Sequence, residues 1–332
     1  MTSPPSCEPE TVEARRDWHR RDVLKALPGM TVAWTLAAMV RRPTTARQVK
    51  WSAGTASPRL KAPANAADCH HHIYDERYPA DPTALLHPPD ALVPDYRGLQ
   101  TRLGTSRSVI IQPSTYGTDN RCAIDALAAL GPSARMIAVV DEAVSDAELK
   151  RLHGLGVCGI RFNLAQAGAT TPAMIAPLSR RIGALGWHVQ INAPADRLLE
   201  IMPILERLAV PIVFDHLAHV PQPDGVKHPV YSKVRALVDK GRSWVKLSGA
   251  YLDTKVGPPT YADSSAVARA YVKAAPERLV WGSDWPHPTE LDHKPDDALL
   301  FDLLADWAPE AAVRHRILVE NPQVLYGFPK RA

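Results

Sequence analysis

The stretch "ADCHHHIYD", residues 67–75, decides how the rest of the chain is read. Successive side chains on an extended strand point to opposite faces. His70 and His72 therefore share one face, with Asp68 below them, while His71 points away. Cys69 alternates with the histidines and reads as a small buried apolar residue. Such a strand is a metal site, a catalytic constellation that needs no metal, or a packing strand rich in histidine. The choice depends on whether the fold gathers other polar residues at the same strand end.

From Ala67 onward, short apolar runs alternate with helical patterns. After the first strand come "SVIIQP" (108–113), "RMIAVV" (135–140), "CGIRFN" (158–163), "HVQIN" (188–192), "PIVFD" (211–215), "WVKLSG" (244–249) and "RLVWGSD" (278–284). Helix signals lie between them. "SDAE" at 145–148 has the form of a capping box, and Thr171-Pro172 sets a cap before a proline at the first helical position. Gly154, Gly156 and Gly186 stand where helices should stop. Eight strands separated by helices, over about 265 residues, fit an α/β fold of the (β/α)8 TIM-barrel type. A doubly wound open sheet competes, but no GxGxxG or P-loop follows the first strand.

The net charge of +4 belongs to the N-terminus. Residues 1–60 carry ten Lys/Arg against five Asp/Glu, and the remainder carries 29 against 30. A near-neutral body has no basic stripe for nucleic acid. Cys7, Cys69, Cys122 and Cys158 form no CxxC and suggest neither a zinc knuckle nor a disulfide framework.

"HRRDVLKALPGMTVAWTLAAMV" (19–40) pairs Arg20 and Arg21 with a hydrophobic residue, Leu24, Lys25 and a modest apolar run. It resembles a twin-arginine export signal, which implies a periplasmic protein. The alternative is a disordered basic arm on a cytoplasmic one. Pro28 and Gly29 break the run, so no stable membrane anchor is expected. "SAGTASPRLKAPANAA" (52–67) reads as an unstructured linker. The expected division is signal and linker over 1–60 and barrel over 61–332.

Barrel chemistry sits at the carboxyl ends of the strands. That rule selects His70 and His72 on strand 1, Ser114 after strand 2, Arg161 and Asn163 on strand 4, and Asn192 on strand 5. It adds Asp215 and His216 after strand 6 and Asp284 after strand 8. His188 begins strand 5, roughly 13 Å deeper than Asn192 at about 3.3 Å per residue, and should be structural. His153, His219 and His315 are given no role, and Asp215 is as well explained by orienting a neighbour.

"DCHHHIYD", "VIIQPSTYGTDN", "GIRFNL", "WHVQI", "PIVFDH", "WGSDWPHP" and "ENPQVLYGF" together resemble the amidohydrolase-related group of the amidohydrolase superfamily, in order over residues 60–328. The branch they are most similar to contains 2-pyrone-4,6-dicarboxylate hydrolase, sugar-acid lactonases, sulfomuconolactone hydrolase and galactarolactone isomerase. The resemblance implies a barrel that opens a small carboxylated lactone. Asp284 matches the general base, His70, His72 and His216 match the histidines around the reacting carbonyl, and Arg161 matches an arginine that grips substrate carboxylate. The departures are that "LAQAG" and "SGAYLD" lack two further arginines of the dicarboxylate hydrolase, and Asn192 replaces a tyrosine. A planar dicarboxylate loses bidentate partners, whereas Ser114, Asn192 and Tyr251 suit a hydroxylated ring.

Metal-dependent members of the superfamily place a histidine where strand 5 here ends in Asn192. No Lys stands on strand 4 to bridge two metals, so a binuclear site is not expected. The branch implies that no cofactor is required. The alternative by ligand type is one Zn2+ or other divalent ion on His70, His72 and Asp284. Rival functions are a metal-dependent decarboxylase of unsaturated or aromatic acids, a lactone isomerase, and an exported lactone-binding protein without turnover. Homo-oligomerisation is compatible with all of them.

Overall fold

The structure is a computed structural model that describes residues 48–165 and 168–329. The export-signal expectation lies outside these residues. Eight strands lie where the apolar runs predict them: β1 (Ala67–His71), β2 (Arg107–Ile111), β3 (Ala134–Ala138), β4 (Val157–Asn163), β5 (His188–Asn192), β6 (Ile212–Phe214), β7 (Ser243–Leu247) and β8 (Leu279–Trp281). They pair in parallel in sequence order. The first and last meet just past their ends. His71 bridges Trp285, His72 N–H donates to Trp285 C=O at 2.8 Å, and Asp284 N–H donates to His70 C=O at 2.8 Å. The sheet is thus a nearly closed barrel, as expected when each parallel strand is followed by a crossover of one hand.

The principal crossover helices are α1 (Val93–Leu103), α2 (Arg121–Leu130), α3 (Asp146–Leu155), α4 (Pro172–Gly183), α5 (Ala195–Leu205), α6 (Pro229–Asp239), α7 (Ala262–Ala274) and α8 (Asp297–Trp307). Local chemistry sets their ends. Ser145 Oγ accepts the Glu148 N–H at 3.0 Å to start α3, and Gly156, at φ +106°, closes it. Gly154 lies inside the last turn of α3 rather than beyond it.

Strands buried on both faces divide the core in two. Cys69, Val109, Ile111, Ile137, Val213 and Val280 fill the barrel interior, with Tyr326 and Phe328 packed against them. The alternate residues, among them Ile110, Met136, Ile160, Val189 and Val245, pack outward with the helices.

The first strand departs from simple alternation. Its register against β2 shifts between Asp68 and His71. Such a shift lets two neighbouring residues face one way. Cys69 joins the interior, and so does His70, whose ring meets Lys246 of β7. Asp68 is therefore not below His70 and His72 as alternation requires. It accepts hydrogen bonds from Tyr96 of α1 at 3.0 Å and from Ser283 Oγ at 2.6 Å. His71 points away as expected and stacks on Tyr96, with ring centroids 3.6 Å apart.

Residues 48–66 also differ from the expected loose linker. The Trp51 indole donates to Asp90 C=O at 2.8 Å, Ala53 N–H donates to Pro295 C=O at 3.0 Å, and Leu60 N–H donates to Asp302 at 2.8 Å. Arg102 binds Ser52 Oγ and Ala53 C=O, both at 2.9 Å. Most of these bonds use the backbone, which a Pro/Ala/Ser-rich composition leaves available but does not advertise. Among the described residues, no helix is long and apolar enough to cross a membrane.

Candidate active site

At the carboxyl end of the barrel, three imidazoles converge on one carboxylate oxygen. Asp284 Oδ1 lies 3.4 Å from His70 Nε2, 3.6 Å from His72 Nε2 and 3.8 Å from His216 Nε2. Its other oxygen accepts the Tyr251 O–H at 2.6 Å. The backbone is shaped to permit this. Asp284 has a left-handed φ of +65°, and His216 opens a run of four left-handed residues ending at His219. Such conformations are costly for non-glycine residues and concentrate at functional sites. Two glycines make room. A Cβ on Gly282 would stand 2.6 Å from His70 Cβ, and one on Gly249 would stand 2.8 Å from His216 Nδ1.

Each imidazole is held by its other nitrogen. His72 Nδ1 lies 2.8 Å from Ile111 C=O, and a carbonyl only accepts, so Nδ1 carries a hydrogen, and the neutral ring has its lone pair on Nε2. His216 Nδ1 pairs with Ser248 Oγ at 3.0 Å. Below them lies a buried charged layer. Asp215 Oδ2 accepts from Arg161 Nε at 3.1 Å and from Gln190 Nε2 at 3.0 Å. Lys246 Nζ donates to Gln190 Oε1 at 2.8 Å and approaches His70 Nδ1 at 3.2 Å and Asp215 Oδ1 at 3.4 Å. Asp215 is thus an orienting hub.

Burial works on every one of these groups. It pushes the His216 imidazole down to about 4 and, with Lys246 alongside, holds His70 well below the ordinary histidine range. Burial alone would raise Asp284, but His216, His72 and His70 outweigh it and keep the carboxyl well below its usual range. The site therefore presents an ionised carboxylate beside neutral His70 and His216 at neutral pH. The carboxylate is thus free to accept a proton, as a weak base whose contribution rests on its position rather than its basicity.

The remaining expected residues are placed less uniformly. Arg161 lies within the charged layer with its Nε committed to Asp215. Tyr251 belongs to the carboxylate itself, and His287 Nδ1 lies 3.0 Å behind its hydroxyl, with Asp297 3.2 Å from His287 Nε2. Asn192 is engaged at both ends of its amide, donating to Asn163 at 2.9 Å and accepting from His219 Nε2 at 2.8 Å. His219 also meets Asp253 at 3.0 Å, and this pair lines a rim cleft of about 320 Å³. Ser114 opens a short turn after β2 and lines a rim cleft with Gln112 and Asn163. His188 sits buried near the barrel floor, 5.6 Å from the Tyr326 ring, far from this rim.

Lys246, Gln190 and His287 go unnoticed in the sequence reading. The first two had a signal: a polar residue in the middle of a strand buried on both faces must find a partner inside the barrel.

Among the described residues, two groups have the donors to hold a cation, His70/His72/Asp284 and His70/Asp215/His216. By donor type, either suits zinc. A metal-bound histidine, however, normally donates its far N–H to a carbonyl, carboxylate or water. His72 meets that condition through Ile111 C=O, whereas the far nitrogen of His70 has two neighbours, the Asp215 carboxylate at 3.3 Å and the Lys246 ammonium at 3.2 Å. The donor set fits a metal at His72, and at His70 the fit turns on whether Nδ1 engages Asp215 or Lys246.

The chain is similar to known proteins over most of its length. It is 34% identical over 288 residues to a 2-pyrone-4,6-dicarboxylate hydrolase of Comamonas testosteroni, covering 83% of this chain and 94% of that one. It is 33% identical to a D-galactarolactone isomerase of Agrobacterium fabrum, covering 84% and 96%. A 4-sulfomuconolactone hydrolase of Hydrogenophaga intermedia is also 33% identical, covering 81% and 91%. The amidohydrolase family model matches residues 67–328, the whole barrel from β1 to the C-terminal helical segment, and the chain is a member of that family.

Proposed function

We propose that this protein is a hydrolase that opens a small carboxylated or hydroxylated lactone of the sugar-acid type, with no metal required. The observation that carries the reading is the convergence of three histidine Nε2 atoms on Asp284 Oδ1 at 3.4–3.8 Å. The relatives named above, all acting on cyclic esters by their names, support it.

In this reading Asp284 accepts a proton from water as that water attacks the ring carbonyl; collapse of the tetrahedral adduct breaks the ring C–O bond, and the leaving alkoxide takes the proton from Asp284. The His72 lone pair helps to hold the water, and the remaining imidazoles face the oxygen on which charge develops. Tyr251 holds the carboxylate in place through its 2.6 Å bond. Arg161, with Nε tied to Asp215, brings its other N–H groups to a substrate carboxylate. Ser114 and Asn192 on the rim meet ring hydroxyls. The RR-containing stretch at 19–40 supports export to the periplasm through the twin-arginine route, which processing of a full-length fusion in twin-arginine-deficient cells tests.

The test is hydrolysis of a panel of sugar-acid lactones, with and without chelator, beside elemental analysis of the purified protein. Turnover that survives chelation, without stoichiometric metal, is the expected result. Asp284→Asn should lower kcat by about 10²–10⁴-fold, the range for a general base. Release of CO2 that depends on a bound metal would replace this reading by the decarboxylase. Conversion between lactone isomers without ring-opened product would replace it by the isomerase.

A further inference from the structure

Lys246 is fully buried one residue before the end of β7 and belongs to no step described above. Its Nζ has three neighbours: Gln190 Oε1 at 2.8 Å, His70 Nδ1 at 3.2 Å and Asp215 Oδ1 at 3.4 Å. An ammonium has three hydrogens and no lone pair. Gln190 is oriented for this role, because its Nε2 is already spent on Asp215 Oδ2. Two of the ammonium hydrogens thus have acceptors, Gln190 Oε1 and His70 Nδ1, provided that Nδ1 carries no hydrogen, while Asp215 Oδ1 at 3.4 Å is an ion-pair contact without a hydrogen bond.

A competing arrangement has to be weighed. His70 Nδ1 also lies 3.3 Å from Asp215 Oδ1, and a hydrogen on Nδ1 could be donated there. That choice leaves one Lys246 N–H without an acceptor and aims it at the imidazole N–H in a site closed to water. Arg161 and Gln190 both bind Asp215 Oδ2, and Oδ1 makes no hydrogen bond at 3.3 Å from His70 or 3.4 Å from Lys246, so a hydrogen on Nδ1 would meet a poorly aligned acceptor. A buried donor left unmade costs more than an ordinary hydrogen bond gains. The arrangement in which Lys246 donates to His70 Nδ1 as well as to Gln190 Oε1 wins.

We infer that Lys246 is a positioning residue that fixes the tautomer of His70, placing its single hydrogen on Nε2 where it faces Asp284 and the reacting carbonyl. His72, two residues on, is fixed in the opposite sense by Ile111 C=O. The two neighbours therefore divide the work: His70 donates a hydrogen bond into the site, and His72 accepts one. An Nε2 that carries a hydrogen cannot ligate a metal, so the same contact keeps an ion from the His70/His72/Asp284 group. This deepens the lactone-opening reading, yet its central claim concerns the resting protein.

The test is nitrogen-15 NMR of the full chain labelled at histidine, with the His70 signals identified by their loss in His70→Gln. The expected result is His70 protonated at Nε2 only and His72 at Nδ1 only. A His70 hydrogen on Nδ1 overturns the inference. Lys246→Met should move the His70 hydrogen to Nδ1, where Asp215 accepts it, and should lower kcat about 100-fold with KM within threefold. An unchanged tautomer and kcat in that variant would also overturn it. Lys246→Met removes one partner of a buried charge pair and is at risk of misfolding, in which case the wild-type spectrum alone decides. No substrate enters the spectrum. A protein that shows the expected tautomers but opens no lactone would sink the functional reading and leave this one standing.

Discussion

Tyr251 donates its hydroxyl hydrogen to Asp284 Oδ2 across 2.6 Å, joining the loop after β7 to the end of β8. A hydrogen bond to the ionised form of a carboxylate favours that form. Tyr251→Phe should therefore raise the Asp284 pKa and move the acid limb of kcat/KM to higher pH. The turnover rate should fall about 10-fold or more, since the carboxylate also loses its anchor. A pH–rate profile identical to wild type would show that the hydroxyl has no part in setting the base.

His71 offers the sharpest contrast with its neighbours. Neither of its ring nitrogens has a hydrogen-bond partner, and its ring lies flat on Tyr96 at 3.6 Å. Replacing a buried polar ring without partners by an apolar one of similar shape is nearly neutral or stabilising. His71→Phe should keep kcat within about twofold and leave the melting temperature equal or higher. His72→Phe, which removes a nitrogen 3.6 Å from Asp284, should abolish measurable turnover. Equal losses in the two variants would contradict the assigned faces.

Stability should fall as the solution is acidified from pH 7 toward pH 5. Burial lowers His70 and His71 well below the ordinary value, His216 to about 4 and His188 to about 3. The unfolded chain binds these protons first. The stability they confer is therefore complete above about pH 6.5 and is lost on descent, by about 1.4 kcal/mol per pH unit for each group. Asp68 acts in the opposite sense. Burial raises it to about 6, so its protonation favours the folded state between there and its unfolded value. Asp215 and Asp284 are held low and lose their contribution only at more acid pH. Four groups against one predict a net loss, and a melting temperature that is flat or rising from pH 7 to 5 would refute it.

The arm over residues 48–60 should behave as part of the domain. The Trp285 indole donates to Lys50 C=O at 2.8 Å, which ties the residue after Asp284 to the start of the described chain. A protein beginning at residue 48 should melt as the longer chain does. One beginning at residue 62 leaves that buried indole without an acceptor, at about 1–3 kcal/mol for this group alone. It should melt several degrees lower and turn over more slowly. Equal melting temperatures for the two truncations would make the arm dispensable.

The barrel was legible because parallel strands buried on both faces are short apolar runs, and "SVIIQP" or "PIVFD" admits little else. His70, His72, His216 and Asp284 could be selected because strand ends concentrate chemistry. Other parts were hidden for physical reasons. A register shift leaves no mark in composition, so Asp68 was placed on the wrong face. The arm is held largely through backbone groups that every residue has. Lys246 reads as an ordinary alternation in "WVKLSG" until its height in the barrel is known to match that of His70, Gln190 and Asp215.

The irregularity in β1 has a last consequence. Because Cys69 and His70 both face inward, the frontier between the oily floor and the reactive chamber passes between two adjacent residues. Floor and chamber can then be altered separately. Small apolar replacements at Cys69 should chiefly change how tightly the floor is filled, whereas an insertion that slides the kink by one position should exchange the tenants of the two compartments and cost the enzyme its activity.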